Sequence, residues 1–336
     1  MTTRLGKYTV RLENGPSVLG YAAVVSKMES EGPLASKFDR ISEDEMFGQQ
    51  SWEKAESQMQ KEVVELALDK AGVVSNDVDY VFAGDLLNQC IGSHYGLREL
   101  GIPFVGVYGA CSTMAETLAL AGIFVECGVG GQALAVTSSH FCAAERQFRF
   151  PLEYGGQRPP TSQRTVTGAG AALLGAHGNP PYVKTVTIGT IEDMGVTDIN
   201  NMGAAMAPAA AHTIKRFFDE TSTGPDNYDM IFTGDLAAVG SELMHELLGR
   251  ETIDIRNKHA DCGLLIYDRE QQDVHAGGSG CGCCAAVLCA HILPLMREGK
   301  LNDVLFCATG ALMSPLSIQQ GESIPGIAHL VHLSNR

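Results

Sequence analysis

The sequence predicts an α/β protein made of two duplicated halves, and three observations predict it. Asp79-Tyr-Val-Phe-Ala-Gly-Asp-Leu86 reads almost the same as Asp229-Met-Ile-Phe-Thr-Gly-Asp-Leu236, at an offset of 229 − 79 = 150 residues. Gln132-Ala-Leu-Ala-Val-Thr-Ser-Ser139 aligns in the same order with Asp303-Val-Leu-Phe-Cys-Ala-Thr-Gly310, at an offset of 303 − 132 = 171. Ahead of each of these later runs lies a small-residue turn entering a helical pattern: Gly109-Ala-Cys-Ser-Thr113 and Gly277-Gly-Ser-Gly-Cys-Gly-Cys-Cys284.

Each element has a physical reason. The Asp79 and Asp229 runs are short and apolar and end in a Gly-Asp turn, the pattern of a buried strand. Before the first, Met59, Val63, Leu66 and Ala67 form one apolar helical stripe that Gly72 closes. Before the second, Ile214, Phe217 and Phe218 form part of another, closing near Gly224. A repeat of this length is far longer than a solenoid unit. Short apolar strands alternating with helices imply a mainly parallel sheet covered on both faces. The predicted halves are 1–180 and 181–336.

Composition narrows the function classes. Apolar residues make up 45% and charged residues 19% of 336, as in a packed globular protein. The formal net charge of −15 argues against a nucleic-acid partner, which calls for a basic surface. The sequence has no run of 18 apolar residues to cross a bilayer, and Met1 to Glu13 is too charged for a secretory signal. A reducing compartment is therefore expected, with the ten cysteines mostly as buried thiols.

The turn at Cys111 is where chemistry is expected. Val105 to Val107 reads as a strand. Met114, Leu118, Ala121 and Val125 give the following helix an apolar face, and Gly128 and Gly130 end it. Cys111 then sits near a helix N-terminus, where the dipole favours a thiolate or a bound anion and backbone N–H groups could hold an oxyanion. From the residues alone it is a nucleophile, an anion site or a buried structural thiol.

Gly109-Ala-Cys111-Ser-Thr resembles the nucleophile loop of thiolases and ketoacyl synthases, and the duplicated halves resemble their thiolase-type αβαβα layered fold. Ala83-Gly-Asp-Leu-Leu-Asn88, Thr137-Ser-Ser-His140, Ala144-Glu-Arg-Gln-Phe148 and Asn201-Met-Gly-Ala-Ala-Met-Ala-Pro-Ala209 are similar to one branch, the stage V sporulation protein AD family. So are Ala276-Gly-Gly-Ser-Gly-Cys281 and Thr309-Gly-Ala-Leu-Met-Ser314, and the resemblance runs from about Gly32 to His329. It implies a homodimeric protein of spore formers, peripheral on the cytoplasmic side of the forespore or spore inner membrane. It implies membrane proteins of the same sporulation transport complex as partners. The implied small-molecule dicarboxylate ligand is pyridine-2,6-dicarboxylate (dipicolinate), with or without calcium and with no other cofactor.

Condensing enzymes of this fold pair their cysteine with two His, or with His and Asn, to move protons and hold a carbonyl oxygen. Here the turn after the first strand of the second half, Thr233-Gly-Asp235-Leu-Ala-Ala-Val-Gly240, has no His. The glycine-rich turn Gly277-Gly-Ser279-Gly-Cys281 has neither His nor Asn. Cys307 partly matches the second cysteine of thiolases. His140 and His212 lie away from the positions where the family places its histidines, and His212 reads as a helix-start or cavity-lining residue. Cys281-Gly-Cys-Cys284 with Cys289 and His291 lacks the second ligand pair of a zinc site, so packing thiols and no metal are expected. Gly278-Ser-Gly-Cys-Gly282 lacks the full spacing of a dinucleotide loop.

A planar dianion calls for Arg forks, helix N-termini and an apolar wall. The segment from His140 to Val166 carries Arg146, Arg149, Arg158 and Arg164 against Glu145 and Glu153, interleaved with Phe148, Phe150 and Tyr154. It reads equally as a dimer-forming loop, since related folds dimerise through this region. From the loops that meet in thiolase-type folds, Cys111, Ser139, His140 and Arg146 are expected to line one end of the pocket. Asp235, Ser279 and Cys281 are expected to close the other, with Met206 as apolar wall. The rivals are an acyl-coenzyme A-dependent acyltransferase or condensing enzyme using Cys111, and a structural platform for membrane partners.

Overall fold

A computed structural model describes residues 2–148 and 158–336. Ten strands form the main sheet path: β1 (Ser17–Ser26), β2 (Tyr80–Gly84), β3 (Phe104–Gly106), β4 (Gln132–Ser139), β5 (Gly168–Gly175), β6 (Tyr182–Thr187), β7 (Met230–Thr233), β8 (His259–Asp261), β9 (Asp303–Ala311) and β10 (Gly326–Ser334). Their order is β3-β2-β4-β5-β1 followed by β6-β10-β9-β7-β8. Subtracting five from each label in the second set turns it into the first, read outward from the centre. The pairing directions repeat too, and they correct the expected mainly parallel sheet: along this path four pairings are parallel and five antiparallel. β2 is parallel to β3 and β4, and β7 to β8 and β9, whereas β5 and β10 run antiparallel to both their neighbours. The duplication read from the sequence is therefore a duplication of topology.

The repeated aspartates explain why the motif recurs. Asp79 accepts hydrogen bonds from the N–H groups of Gly131 (2.7 Å) and Gln132 (3.0 Å) at the start of β4. Asp229 accepts from Asn302 (2.6 Å) and Asp303 (3.1 Å) at the start of β9. In each half one carboxylate ties the entry of one strand to the entry of its parallel neighbour. Asp79→Ala and Asp229→Ala are each expected to cost about 1 kcal/mol, the worth of exposed charge-assisted bonds, measured by denaturant unfolding. A cost confined to one of the two would refute the equivalence.

Five helices place the layers: α1 (Trp52–Ala71), α2 (Ile91–Leu97), α3 (Thr113–Glu126), α4 (Phe141–Phe148) and α5 (Met202–Thr221). Two more complete the second half, α6 (Ala237–Arg250) and α7 (Cys281–Val287). α1 starts at Ser51, whose side chain accepts from the N–H of Lys54, and stops at Gly72, which is left-handed with φ 67°. Its stripe of Met59, Val63 and Ala67 is fully buried against the outer face of the first sheet half. α5 covers the outer face of the second half with Ile214, Phe217 and Phe218. It ends at Ser222, φ 54°, two residues before the expected Gly224; a serine takes the left-handed cap here.

α3 and α7 lie between the two sheet halves and are buried on almost every side. This completes five layers: helix, sheet, helix, sheet, helix. Small residues make it possible. A Cβ on Gly282 of α7 would fall 2.2 Å from the Gly168 carbonyl oxygen, and one on Gly170 of β5 would fall 2.4 Å from that of Ala285. The cysteine-rich run is thus packing material, and all ten cysteines are free thiols, eight of them buried. Among the described residues no helix is long and apolar enough to cross a membrane.

Candidate functional site

The turn at Cys111 is built from local hydrogen bonds. Ala110 adopts φ 51°, a left-handed conformation costly for alanine. Three hydroxyl contacts hold it. Ser112 donates to the Gly109 carbonyl (2.6 Å), Thr113 donates to the Ala110 carbonyl (2.6 Å), and the Gly109 N–H donates to the Thr113 hydroxyl (3.0 Å). Residues 110–112 project Cys111 from the end of β3 at the start of α3, as the strand-to-helix reading expects. The strand itself, Phe104–Gly106, lies one residue earlier than Val105 to Val107.

Cys111 faces a cavity of about 30 Å³, room for one or two water molecules. Its apolar wall comes from Leu86, Phe148, Met202 and Met313, and its polar groups from Tyr108, Glu145, Thr165 and Ser279. Ser279 Oγ lies 3.8 Å from Cys111 Sγ and donates to Asp235 Oδ2 at 3.0 Å. Asp235 is wholly buried. Its Oδ2 also accepts from the Gly280 N–H (2.8 Å) and its Oδ1 from Thr309 Oγ1 (2.9 Å). Behind the thiol there is a carboxylate held by three donors.

The electrostatics follow. Burial first, and the neighbouring Asp235 charge second, push the Cys111 thiol well above its ordinary value. Asp235 is itself pushed up by burial, which its hydrogen bonds oppose. A thiol so placed stays protonated at neutral pH, the reverse of an activated nucleophile. Among the described residues that line the cavity there is no histidine.

Of the eight predicted site residues, Cys111 and Ser279 line the cavity. The structure places the other six around it as follows. Ser139 is buried and donates its hydroxyl to the Val166 carbonyl (2.7 Å). His140 is buried with Nε2 on the Glu45 carbonyl (2.9 Å), and burial lowers its pKa. Arg146 points out of α4, paired with Glu53 and stacked over Trp52 at 5.1 Å from the ring centre. Met206 is fully buried one helical turn beyond the lining residue Met202. Asp235 stands behind Ser279 and does not line the cavity. Cys281 packs beside Cys111, its thiol donating to the Ser138 carbonyl (3.0 Å).

Other expectations also meet their positions. His212 sits mid-helix in α5, half exposed and 2.9 Å from Glu192, not at a helix start. Arg158 is paired with Asp273 (3.0 Å), and Arg164 lies over the Phe141 ring at 3.9 Å. Arg149, Phe150, Glu153 and Tyr154 lie outside the described residues. Among the described residues no group of three or more His, Cys, Asp or Glu could hold a metal ion.

Sequence reasoning missed Glu145, Thr165, Met202 and Met313 as site residues, although all four stand inside segments already singled out. Glu145 adjoins Arg146 on α4, Met202 is second in the Asn201 run, and Met313 is next to last in the Thr309 run. The signal located the segments, and helix phase chose the residues. Thr165 accompanies Glu145, to which its hydroxyl donates at 3.0 Å.

The model for the stage V sporulation protein AD family matches residues 6–334. The chain is 47% identical over 324 residues to the stage V sporulation protein AD of Bacillus subtilis (strain 168), covering 96% of each chain. Among solved structures it resembles 3-oxoacyl-[acyl-carrier-protein] synthase III from Aquifex aeolicus, at TM-score 0.60 and 12% identity over 95% of this chain and 100% of that one. Cerulenin-bound OleA of Xanthomonas campestris is similar at TM-score 0.60 and 12% identity, over 95% of this chain and 97% of that one. These likenesses are to the fold. On this sequence match and this layered, duplicated architecture, the chain belongs to the stage V sporulation protein AD family and carries the thiolase-type fold.

Proposed function

We propose that this member of a sporulation family is a non-catalytic receptor for a small planar dicarboxylate, pyridine-2,6-dicarboxylate. It would act with membrane proteins of the same sporulation transport complex, peripherally at the cytoplasmic side of the forespore or spore inner membrane. The observation that carries the loss of catalysis is the carboxylate of Asp235 behind Cys111, in a site whose described lining has no imidazole. Acyl transfer asks for a thiolate and a proton carrier, and this geometry favours a neutral thiol.

What remains is a small cradle of hydroxyls on an apolar wall, at the positive end of α3. One ligand carboxylate would meet the Tyr108 hydroxyl and the α3 end, away from Glu145, whose like charge opposes it. At about 30 Å³ the cavity must widen to take an aromatic diacid. Met202, Met313 and Phe148 are the side chains to yield, and methionine adapts at low cost.

Calorimetric titration with dipicolinate should give saturable binding and a matching rise in melting temperature through mass action. In Cys111→Trp the indole fills the cavity, and affinity should fall by about tenfold or more. Absence of heat and of thermal shift in the parent protein would sink the receptor reading. The rival has its own support in the left-handed Ala110 that presents Cys111 at a helix start. Incubation with acetyl-coenzyme A followed by intact-mass measurement separates the two, since an acetyl adduct on Cys111 would establish acyl transfer.

A further inference from the structure

A line of hydrogen bonds runs from the surface of the second half to the turn that carries Asp235. His245 on α6 and His259 on β8 meet through Nε2 and Nδ1 at 2.9 Å. His259 Nε2 lies 2.8 Å from Thr233 Oγ1, which donates to Asp261 Oδ2 at 2.6 Å. Both histidines are half-buried, whereas Thr233 and Asp261 are fully enclosed. Asp261 also receives the N–H groups of Leu236 and Ala237, each at 2.9 Å. Ala237 is left-handed, φ 53°, and directly follows the Asp235-Leu236 pair. Two backbone donors converging on one carboxylate thus hold a strained turn whose other end is the wall behind Cys111.

The donors set the direction. Thr233 gives its proton to Asp261, so its oxygen accepts from His259 Nε2–H. His259 Nδ1 is then an acceptor and takes the Nε2–H of His245, leaving His245 Nδ1 free to take a proton from water. A proton bound there displaces the Nε2 proton to His259, which passes its own to Thr233, which passes its own to Asp261. One proton enters and one arrives; both histidines are left as the opposite tautomer with the line of hydrogen bonds reversed, and re-exchange of their ring protons with water resets it before a second passage.

We propose that His245, His259 and Thr233 relay protons to Asp261, and that Asp261, as a positioning residue, thereby makes the charge and the hold of the Asp235 turn follow the surrounding pH. Other groups face the relay. Glu242, Asp254 and Arg256 surround His245. Asp235, Cys262 and Cys283 face Asp261 from the adjoining turn, the following segment and α7. Burial holds His259 down at about 3, so it transmits protons without keeping one. Burial and then the Asp235 charge raise Asp261 to about 7, which burial alone would take further but for its donors. The two carboxylates repel and titrate as a pair. An anionic ligand adds to that repulsion, so its binding favours the protonated Asp261 and takes up a proton.

The ligand arm of the test rests on the receptor reading; the spectroscopic arm does not. Infrared difference spectra should show the carbonyl band of a protonated buried carboxylic acid growing as pH falls through about 7, and Asp261→Asn should remove that component. After a rapid pH drop the band should appear about tenfold more slowly in Thr233→Val and in His245→Ala, which cut the line, because protons must then wait for local opening. Dipicolinate affinity should strengthen at least about threefold from pH 8 to 6, bounded at tenfold per pH unit for one proton, and become flat in Asp261→Asn. A band unchanged in Asp261→Asn, or kinetics unchanged in both line-cutting variants, overturns the relay. Binding with no pH slope overturns the coupling to the site. A titrating band with no dipicolinate binding leaves the relay standing and removes the receptor reading alone.

Discussion

Gly310→Ala should destabilise the protein by about 3 kcal/mol or more and empty the Cys111 site of its geometry. Gly310 lies in β9, at the crossing of the second sheet half and the Cys111 turn. A Cβ there would stand 2.4 Å from the Gly109 carbonyl oxygen, 3.1 Å from the Ser112 nitrogen and 3.2 Å from the Cys111 nitrogen. All three are backbone atoms, which no rotamer change can move aside. The turn is already strained at Ala110 and pinned by its hydroxyl bonds, so it has little room to retreat. Gly249→Ala is the control. Its added methyl meets nothing within 4 Å, and inside α6 it should stabilise by about 0.5 to 1 kcal/mol through helix propensity. Urea unfolding of both variants reads the difference directly. A Gly310→Ala protein within about 0.5 kcal/mol of the parent would show that the β9 contact does not position the thiol.

Asp235→Asn should raise the alkylation rate of Cys111 about tenfold near pH 8, the effect of lowering a thiol's pKa by one unit. The carboxylate stands behind Ser279 and opposes a second negative charge on sulfur. Removing its charge while keeping its shape leaves burial as the main force holding the thiol up, so the thiolate fraction rises at every pH below that pKa. Iodoacetamide labelling read by peptide mass on Cys111 measures it. An unchanged or slower rate would show that Asp235 does not set the thiol's protonation. The stability consequence has the opposite sense to an ordinary salt-bridged aspartate. The folded-state pKa of Asp235 is raised, so the folded chain keeps this proton longer than the unfolded one. Stability from this group is therefore greatest in acid and falls as pH rises above the ordinary carboxyl range. Asparagine, which carries no proton to lose, should flatten that slope.

The twofold design of the molecule has a simple physical basis. Each half repeats the same strand order, the same parallel pairings and the same aspartate clamp between strand entries. What the halves do not repeat is the chemistry at their central helices. α3 begins beside a cysteine turn, and α7 begins after Ser279 and Gly280, which feed donors to Asp235. The site forms where these unlike ends meet, with Arg164-Thr165 pairing in parallel with Gly278-Ser279 across the gap.

The sequence by itself determined the duplication, the repeated strand motifs, the helix that follows Cys111 and the absence of His from the turns that carry Asp235 and Ser279. Those are matters of local pattern. Apolar periodicity and turn residues act over a few positions, and two copies of one pattern are legible side by side. Only the tertiary structure decided which member of each singled-out run meets the cavity. One residue on α4 turns a helix by about 100°, enough to aim Glu145 inward and Arg146 at Glu53. Four residues on α5 bring back the same face one turn away, so Met202 lines the cavity and Met206 disappears into the core. The His245 to Asp261 line was equally hidden, because residues 233, 245, 259 and 261 converge only when β7, β8 and α6 pack together. Direction across a packed interface is set by the neighbour on the far side, and no residue's own sequence context contains that neighbour.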